Sequence, residues 1–228
     1  IGTVILPRLS NLFVTDDRLS FSTTLDWSMR LVFLVGMPAV VGLIILAEPI
    51  ILILFERGAF SPEDTLQASY SLVALALGLV AFMLIKILTP SFFARQEPKK
   101  PMYVALASMI LNGILAWVLG FYLGYGHIGL ALASSLAAFF TVLALLMLLK
   151  AENVYRPSAG WLLFWCRILL ALLVLIGCLA YFNQDVSYLR EISGVGKAAY
   201  LVKMVTMGIL VYLVVLRLTG MKIKDFLS

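Results

Sequence analysis

The chain has 228 residues, of which 63% are hydrophobic and only 13% charged, with a formal net charge of +5. Soluble domains carry roughly 45–50% apolar and about 25% charged residues, so composition excludes a water-soluble globule. The positive charge does not mark a nucleic-acid binder either, because the basic residues form no aromatic-interleaved stripe and sit between apolar runs, as in loops beside a membrane.

The chain opens on "IGTVILPRLS", which reads as the last turns of a helix. It has neither the basic n-region nor the small-residue cleavage site of a signal peptide, so the chain is expected to be a piece of a longer one. Asp16 to Ser28 is polar with scattered Leu, Phe and Trp, a pattern that predicts a helix lying on the membrane surface. Six apolar runs then approach the ~20 residues that cross a ~30 Å hydrocarbon core. They predict spans over Arg30–Ala47, Leu66–Phe93, Met102–Leu123, Ile128–Leu149, Trp161–Phe182 and Ala198–Leu218. Between the first two lies "EPIILILFERGAFSPEDT", whose apolar part is too short to cross. Its "SPED" predicts a helix start, with Ser61 as N-cap, Pro62 at the first helical position, and Glu63 and Asp64 beside the positive helix end. No internal repeat and no soluble domain is visible.

Lys and Arg in the short connections orient the spans. Counted from the segment before the first span, they run three, one, three, zero, three, three and three. The alternation places the C-terminus in the cytoplasm. The connection after the fifth span, with Arg190, Lys197 and Lys203, is the exception.

Chemistry-bearing residues are few. The single histidine, His127, falls in a tight turn, so neither a His-based metal cluster nor a Ser-His-Asp constellation can form. Cys166 and Cys178 share one apolar run and imply neither a disulfide framework nor a metal site. The carboxylates fall in loops or at span ends, with Glu48 nearest the membrane, so no mid-membrane acid offers a proton relay. A transporter or a scaffold is expected, not an enzyme, with no cofactor.

Lys86 lies within the second span, roughly 13 Å from its end near Arg95 at 1.5 Å per residue. Snorkelling toward that end would bend the side chain against its own Cβ direction, whereas Arg167 and Lys203 can snorkel easily. A wet cavity or an anionic partner is therefore one reading of Lys86, and interfacial anchoring the other. Pro90, one turn on, removes a helical donor and predicts a kink, and Pro38 does the same in the first span. Gly129, Ala133 and Ala137 form a small-residue stripe suited to close helix packing, with Gly120 and Gly124 closing the span before it. Asn112 needs a polar partner, either across a helix interface or in an ion or substrate.

Two stretches go further. "ILFERGAFSPEDT", with Phe55, Arg57, Gly58 and Phe60, resembles the LF-x-RG-x-F signature of the MurJ/MviN lipid II flippases. "KILTPSFFARQEPKKPM", with Pro90, Phe92, Arg95 and Pro101, resembles that family's helix-end motif of apolar-P-x-F-[YF]-[AS]-R-x-[DE] followed by Pro. "LPRLS" and "HIGLALASSLAA" are similar to family stretches as well, all in the family's order.

The resemblance implies an all-α, polytopic transmembrane bundle that forms the second lobe of a fourteen-helix, two-lobed transporter. Residues 1–149 would be the lobe core, with the end of one helix, the surface helix and four spans. Residues 150–228 would be an additional C-terminal helix pair forming a groove for a lipid tail. The implied substrate is an undecaprenyl-diphosphate-linked peptidoglycan precursor, moved across the bacterial inner membrane by alternating access. Its partners would be that lipid, the membrane lipids and the N-terminal lobe of the same protein. Lys86 matches a family lysine of the cavity-side helix, and Asn112 is the second cavity candidate. The family's main arginine cluster is not in this chain. Where some members add an Asp one turn after the Asn of a sodium site, this chain has Ala116, so no metal is expected. The competing readings are an O-antigen, polysaccharide or multidrug exporter of the same superfamily, and a non-transporting membrane scaffold.

Overall fold

A chain this apolar satisfies its backbone in lipid only by bonding internally, as helices or closed barrels do. The computed structural model describes residues 7, 9–13, 15, 17–183 and 186–221, and the regular structure among them is entirely helical. Ahead of the first long helix, residues 9–13 are helical. The elements are α1 (Arg18–Ile45), α2 (Ala47–Phe55), α3 (Pro62–Ala94), α4 (Lys99–Ala116, continued by a π-helical turn Trp117–Tyr122), α5 (Gly126–Ala151), α6 (Trp161–Phe182), α7 (Val186–Glu191) and α8 (Gly194–Leu218). Six of them, α1, α3, α4 with its π turn, α5, α6 and α8, are long and apolar enough to cross a membrane. The expected helix end over "IGTVILPRLS" falls mostly outside the described residues, as do Asp16, Asp185 and the chain after Met221.

The predicted surface helix is corrected. From Arg18 onward it is continuous with the first span as one 28-residue helix. Phe21, Ser22, Thr24, Leu25, Asp26 and Ser28 are buried in it. The sequence shows a polar segment, which suits a water-exposed face. In the fold the polar groups are instead taken up by the connection between α5 and α6.

Helix ends follow local chemistry. Ser61 and Asp64 form a reciprocal cap at the start of α3: the Asp64 amide donates to Ser61 Oγ (3.2 Å), while the Ser61 amide donates to Asp64 Oδ2 (2.8 Å). At the end of α3 the Glu97 amide donates to the Phe92 carbonyl and the Gln96 amide to Phe93 (both 3.0 Å). That is a Schellman closure, with Gln96 at φ +59° in the place usually held by glycine. α5 ends the same way on Asn153, φ +55°.

The chain divides into two compact units. One comprises Ile1–Gly36 and Leu77–Trp161, the other Met37–Ala76 and Leu162–Ser228. In the first, small residues let backbones meet. A Cβ at Gly129 would lie 2.5–2.7 Å from the Leu119 carbonyl group and the Gly120 amide nitrogen. A Cβ at Gly78 would lie 2.5–2.8 Å from Ser135. Ala133 and Ala137 are buried beside Gly129 on the same face of α5, so the Gly129-Ala133-Ala137 stripe is a packing surface as expected. In the second unit, Leu52 and Ile53 of α2 pack with Leu189 of α7, under Tyr200 and Leu201 of α8.

Candidate functional site

α3 buries Leu84, Ile87, Leu88, Ser91 and Phe92 and leaves Lys86 exposed. Eight residues, about 12 Å at 1.5 Å per residue, separate it from the helix end at Ala94. No hydrogen bond or ion pair reaches its ammonium among the described residues. The helix continues through Pro90. Having no N–H, Pro90 leaves the Lys86 carbonyl without its helical donor.

Asn112 on α4 differs from expectation. Its Oδ1 is buried without a hydrogen-bond partner. The polar link between α4 and α5 is made one turn earlier, where Thr141 Oγ1 donates to Ser108 Oγ (2.8 Å) and Ser108 Oγ donates to the Ala137 carbonyl (3.0 Å). No hydrogen bond joins Lys86 to Asn112.

The two sequence motifs are turns with specific closures. In "LFERGAF", Gly58 takes φ +61°, where a Cβ is strained. The Phe60 amide bonds back to the Arg57 carbonyl (3.2 Å), the Phe55 and Phe60 rings meet at 6.3 Å, and Arg57 Nη2 donates to the Ile53 carbonyl (3.3 Å). The residue between the motif positions, Glu56, anchors the turn. It accepts from Thr65 Oγ1 (2.7 Å) and pairs with Arg190 Nε of α7 (3.0 Å). Burial alone would raise the Glu56 carboxyl. The bonds from Thr65 and Arg190, with the charges of Arg190 and Lys197, hold it below its ordinary value.

In the second motif Phe92 is fully buried, and Pro101 at the start of α4 is buried. Arg95 leaves the end of α3 to pair with Glu97 (3.1 Å) and Glu152 (2.6 Å), and Lys100 meets the same two carboxylates. Burial would raise the Glu152 carboxyl, but Lys100 and Arg95 together lower it. The Arg of the motif therefore ties the ends of α3 and α5 to the start of α4.

A pocket of about 220 Å³ lies beside this cluster, with Leu12, Phe13, Phe21 and Val154 as its apolar wall. Its lining cations, Arg18 and Arg95, are matched by Asp17 and Glu152, so it carries no net charge to attract a diphosphate. Among the described residues no group of His, Cys, Asp and Glu could hold a metal.

The densest polar site was not anticipated. Asp26 of α1 is 3% exposed. Its Oδ1 accepts from Tyr155 OH and Trp161 Nε1 (both 2.8 Å), and its Oδ2 from Ser158 Oγ. Arg30, one turn on, pairs with Oδ2 at 3.0 Å and donates to Ser158 Oγ (2.7 Å) and the Ala159 carbonyl (3.0 Å). The Arg30 guanidinium lies 5.0 Å from the centre of the Trp161 ring, which Phe33 meets edge-on at 5.9 Å. Ser22 adds a two-way bridge to the Arg156 backbone. Burial and the bond to Asp26 push the Tyr155 phenol far above its ordinary value, so it remains a donor. The one sequence signal for this site is the four-residue spacing of Asp26 and Arg30, which puts both on one helix face. Their partners lie about 130 residues away.

Comparison with known proteins bears on the whole arrangement. The family model described as lipid II flippase MurJ matches residues 1–217. A probable lipid II flippase MurJ of Vibrio cholerae is 37% identical over 229 residues, covering 99% of this chain and 42% of that protein. The lipid II flippase MurJ of Burkholderia cenocepacia is 36% identical over 177 residues, 78% of this chain and 34% of its own. A solved structure of a lipid II flippase MurJ in an inward closed conformation matches with a TM-score of 0.75 at 29% identity, over 94% of this chain and 41% of that one. The chain thus spans about two fifths of the length of the first of these relatives and of that structure. Matched along nearly its whole length in sequence and in fold, it is a multi-pass membrane protein and belongs to the MurJ lipid II flippase family.

Proposed function

We propose that this chain is the C-terminal lobe of a flippase that carries an undecaprenyl-diphosphate-linked peptidoglycan precursor across the cytoplasmic membrane by alternating access. Lys86 would be a cation that attends the diphosphate. The observation that carries the reading is Lys86 itself. It is an exposed ammonium about two turns inside an apolar span, with no partner among the described residues. A charge at that depth is costly unless it faces water or an anion. Arg95, Arg190 and Arg30 are committed to carboxylates within the fold.

On this reading the partner body is the N-terminal lobe of the same protein, and α6 with α8 offers apolar faces to the lipid tail. Asn112, whose buried Oδ1 has no partner, would be the second polar residue beside the path. By the Lys and Arg count, the C-terminus would lie in the cytoplasm. Arg190, part of the exception in the charge count, has a structural reason for its position, since it holds Glu56.

The test replaces Lys86 in the full-length protein, reconstituted in vesicles with a fluorescent undecaprenyl-diphosphate saccharide. One charge-assisted contact is worth about 1.5–3 kcal/mol, so Lys86→Ala should slow translocation roughly 10- to 100-fold. Lys86→Arg should retain most of the rate. Wild-type rates in Lys86→Ala would remove the lysine from the substrate path.

A further inference from the structure

A hydroxyl inside an apolar helix ordinarily satisfies itself by donating to a carbonyl one turn back. In the long helices Ser91 does so on Leu88 (2.6 Å), Ser134 on Leu130 (3.1 Å), Thr141 on Ala137 (2.9 Å) and Thr206 on Val202 (2.7 Å). Thr89 does not. Its side chain is half-buried and makes no hydrogen bond among the described residues, and its Oγ1 is not one of the unpartnered polar atoms sealed inside the fold. Thr89 lies one turn beyond Lys86. Lys86, Thr89, Pro90 and Phe93 fall at i, i+3, i+4 and i+7, which is one face of α3. Lys86 and Phe93 are exposed on that face, whereas Ile87, Leu88, Ser91 and Phe92 behind it are at most 1% exposed. One open turn of an apolar span thus carries an ammonium and a hydroxyl with no partner among the described residues. Beside them is the Lys86 carbonyl, which Pro90 deprives of its helical donor. Polar groups left unanswered in an apolar setting are costly, so this turn is suited to a polar ligand.

We propose that Thr89 is a specificity-determining residue: its hydroxyl donates to one phosphoryl group of the lipid-linked diphosphate while the Lys86 ammonium takes the other. This rests on the flippase reading above, and it adds what tells a diphosphate from a monophosphate. Side chains three residues apart on a helix have Cβ atoms about 5–6 Å apart. Two donors at that spacing suit adjoining phosphoryl groups, which share a bridging oxygen. The ammonium brings three donors and no acceptor, and the threonine hydroxyl one O–H that rotates to suit. Bonds from such donors to anionic oxygens are the strong, charge-assisted kind. The lysine charge attracts either lipid. The hydroxyl adds its bond only where a second phosphoryl group reaches it, so the preference for the diphosphate belongs to Thr89.

The experiment uses the full-length protein in nanodiscs and two lipids with the same saccharide and the same undecaprenyl chain, one joined through a diphosphate and one through a monophosphate. Affinity for each is read by competition with a fluorescent diphosphate lipid. The variants are Thr89→Val, which keeps the branched shape and removes the hydroxyl, and Thr89→Ser, which keeps the hydroxyl. Each is first checked for unchanged yield and monodispersity. Thr89→Val should bind the diphosphate lipid roughly tenfold more weakly and the monophosphate lipid less than about twofold more weakly, so that the preference narrows. Thr89→Ser should stay within about twofold of wild type on both. Equal losses on the two lipids in Thr89→Val would overturn the proposal, since a structural role does not count phosphoryl groups. A Thr89→Ser as weak as Thr89→Val would overturn it too, because the hydroxyl would then not be the cause. Lys86→Ala in the same assay separates this idea from the one beneath it. A loss in Lys86→Ala with none in Thr89→Val removes Thr89 alone, whereas a wild-type protein that binds neither lipid takes down the flippase reading and this proposal together.

Discussion

At the scale of the residue, Asp26 decides the most. Removing one partner of a buried ion pair leaves the other uncompensated, at about 3–5 kcal/mol. Asp26→Ala strands Arg30, the Tyr155 hydroxyl and the Trp161 indole. Its unfolding free energy in detergent should drop by that amount, whereas Tyr155→Phe, which removes one donor from a carboxylate with others, should lose only about 1 kcal/mol. Comparable losses for the two variants would show that the site is not organised around the carboxylate. This residue also marks the limit of reading sequence alone. Lys86 stands out because a lone charge in an apolar run is conspicuous without any knowledge of the fold. Asp26 sits in a polar stretch where a carboxylate is unremarkable, and its partners Tyr155, Ser158 and Trp161 come from a connection about 130 residues on. No local pattern encodes that pairing.

Elements were read more easily, because period and length carry them. The fifth span, Trp161–Phe182, has the predicted bounds, and the Ser61–Asp64 cap was written in the four letters of "SPED". The first span was misjudged for a reason of the same kind: hydropathy sees where apolar residues stop, not where backbone hydrogen bonding stops. At this scale the glycines make a sharp contrast. At Gly129 an added methyl would meet the backbone of Leu119 and Gly120, which has no side chain to swing aside, whereas at Gly113 it would meet nothing within 4 Å. Gly129→Ala should therefore destabilise by about 1–3 kcal/mol through overpacking. Gly113→Ala, in a helix interior, should be neutral or stabilising by roughly 0.5–1 kcal/mol. Thermal unfolding of the two variants side by side checks this, and a neutral Gly129→Ala would mean that α4 and α5 can separate without loss.

Across the molecule, the ion pairs outside the spans act as clasps between elements distant in sequence. Glu152 holds Arg95 and Lys100, and Glu56 holds Arg190. Both carboxyls titrate below their ordinary value in the fold. Their contribution is thus fully present above the unfolded value, about 4.3, and is lost as pH falls through the lower folded value. The unfolding temperature in detergent should be flat from about pH 7 to pH 5 and decline below roughly pH 4. Glu152→Gln should lower the plateau and shallow the decline; an unchanged pH profile would mean that the Glu152 clasp contributes nothing. Family and fold were legible at this scale because the two motif turns and six apolar runs are local features in a fixed order. What Lys86 would face was not, since on the proposed reading its cavity would be completed by a second body.

The π-helical turn at Trp117–Tyr122 has a consequence for how the chain can vary in length. An extra residue in a helix rotates everything beyond it by about 100°, which in a packed bundle would swing one face out of its interface. A π turn absorbs one residue locally, as the bond from the Leu123 amide to the Val118 carbonyl shows. Both sides stay in register: the α4 stem keeps Ser108 on Thr141, while Gly120 still meets the start of α5. Loss of a single codon in this turn that spares Leu119 and Gly120 should convert it to ordinary α-helix and leave both contacts in place. The same loss in mid-α5 would rotate Gly129 away from Leu119 or Thr141 away from Ser108.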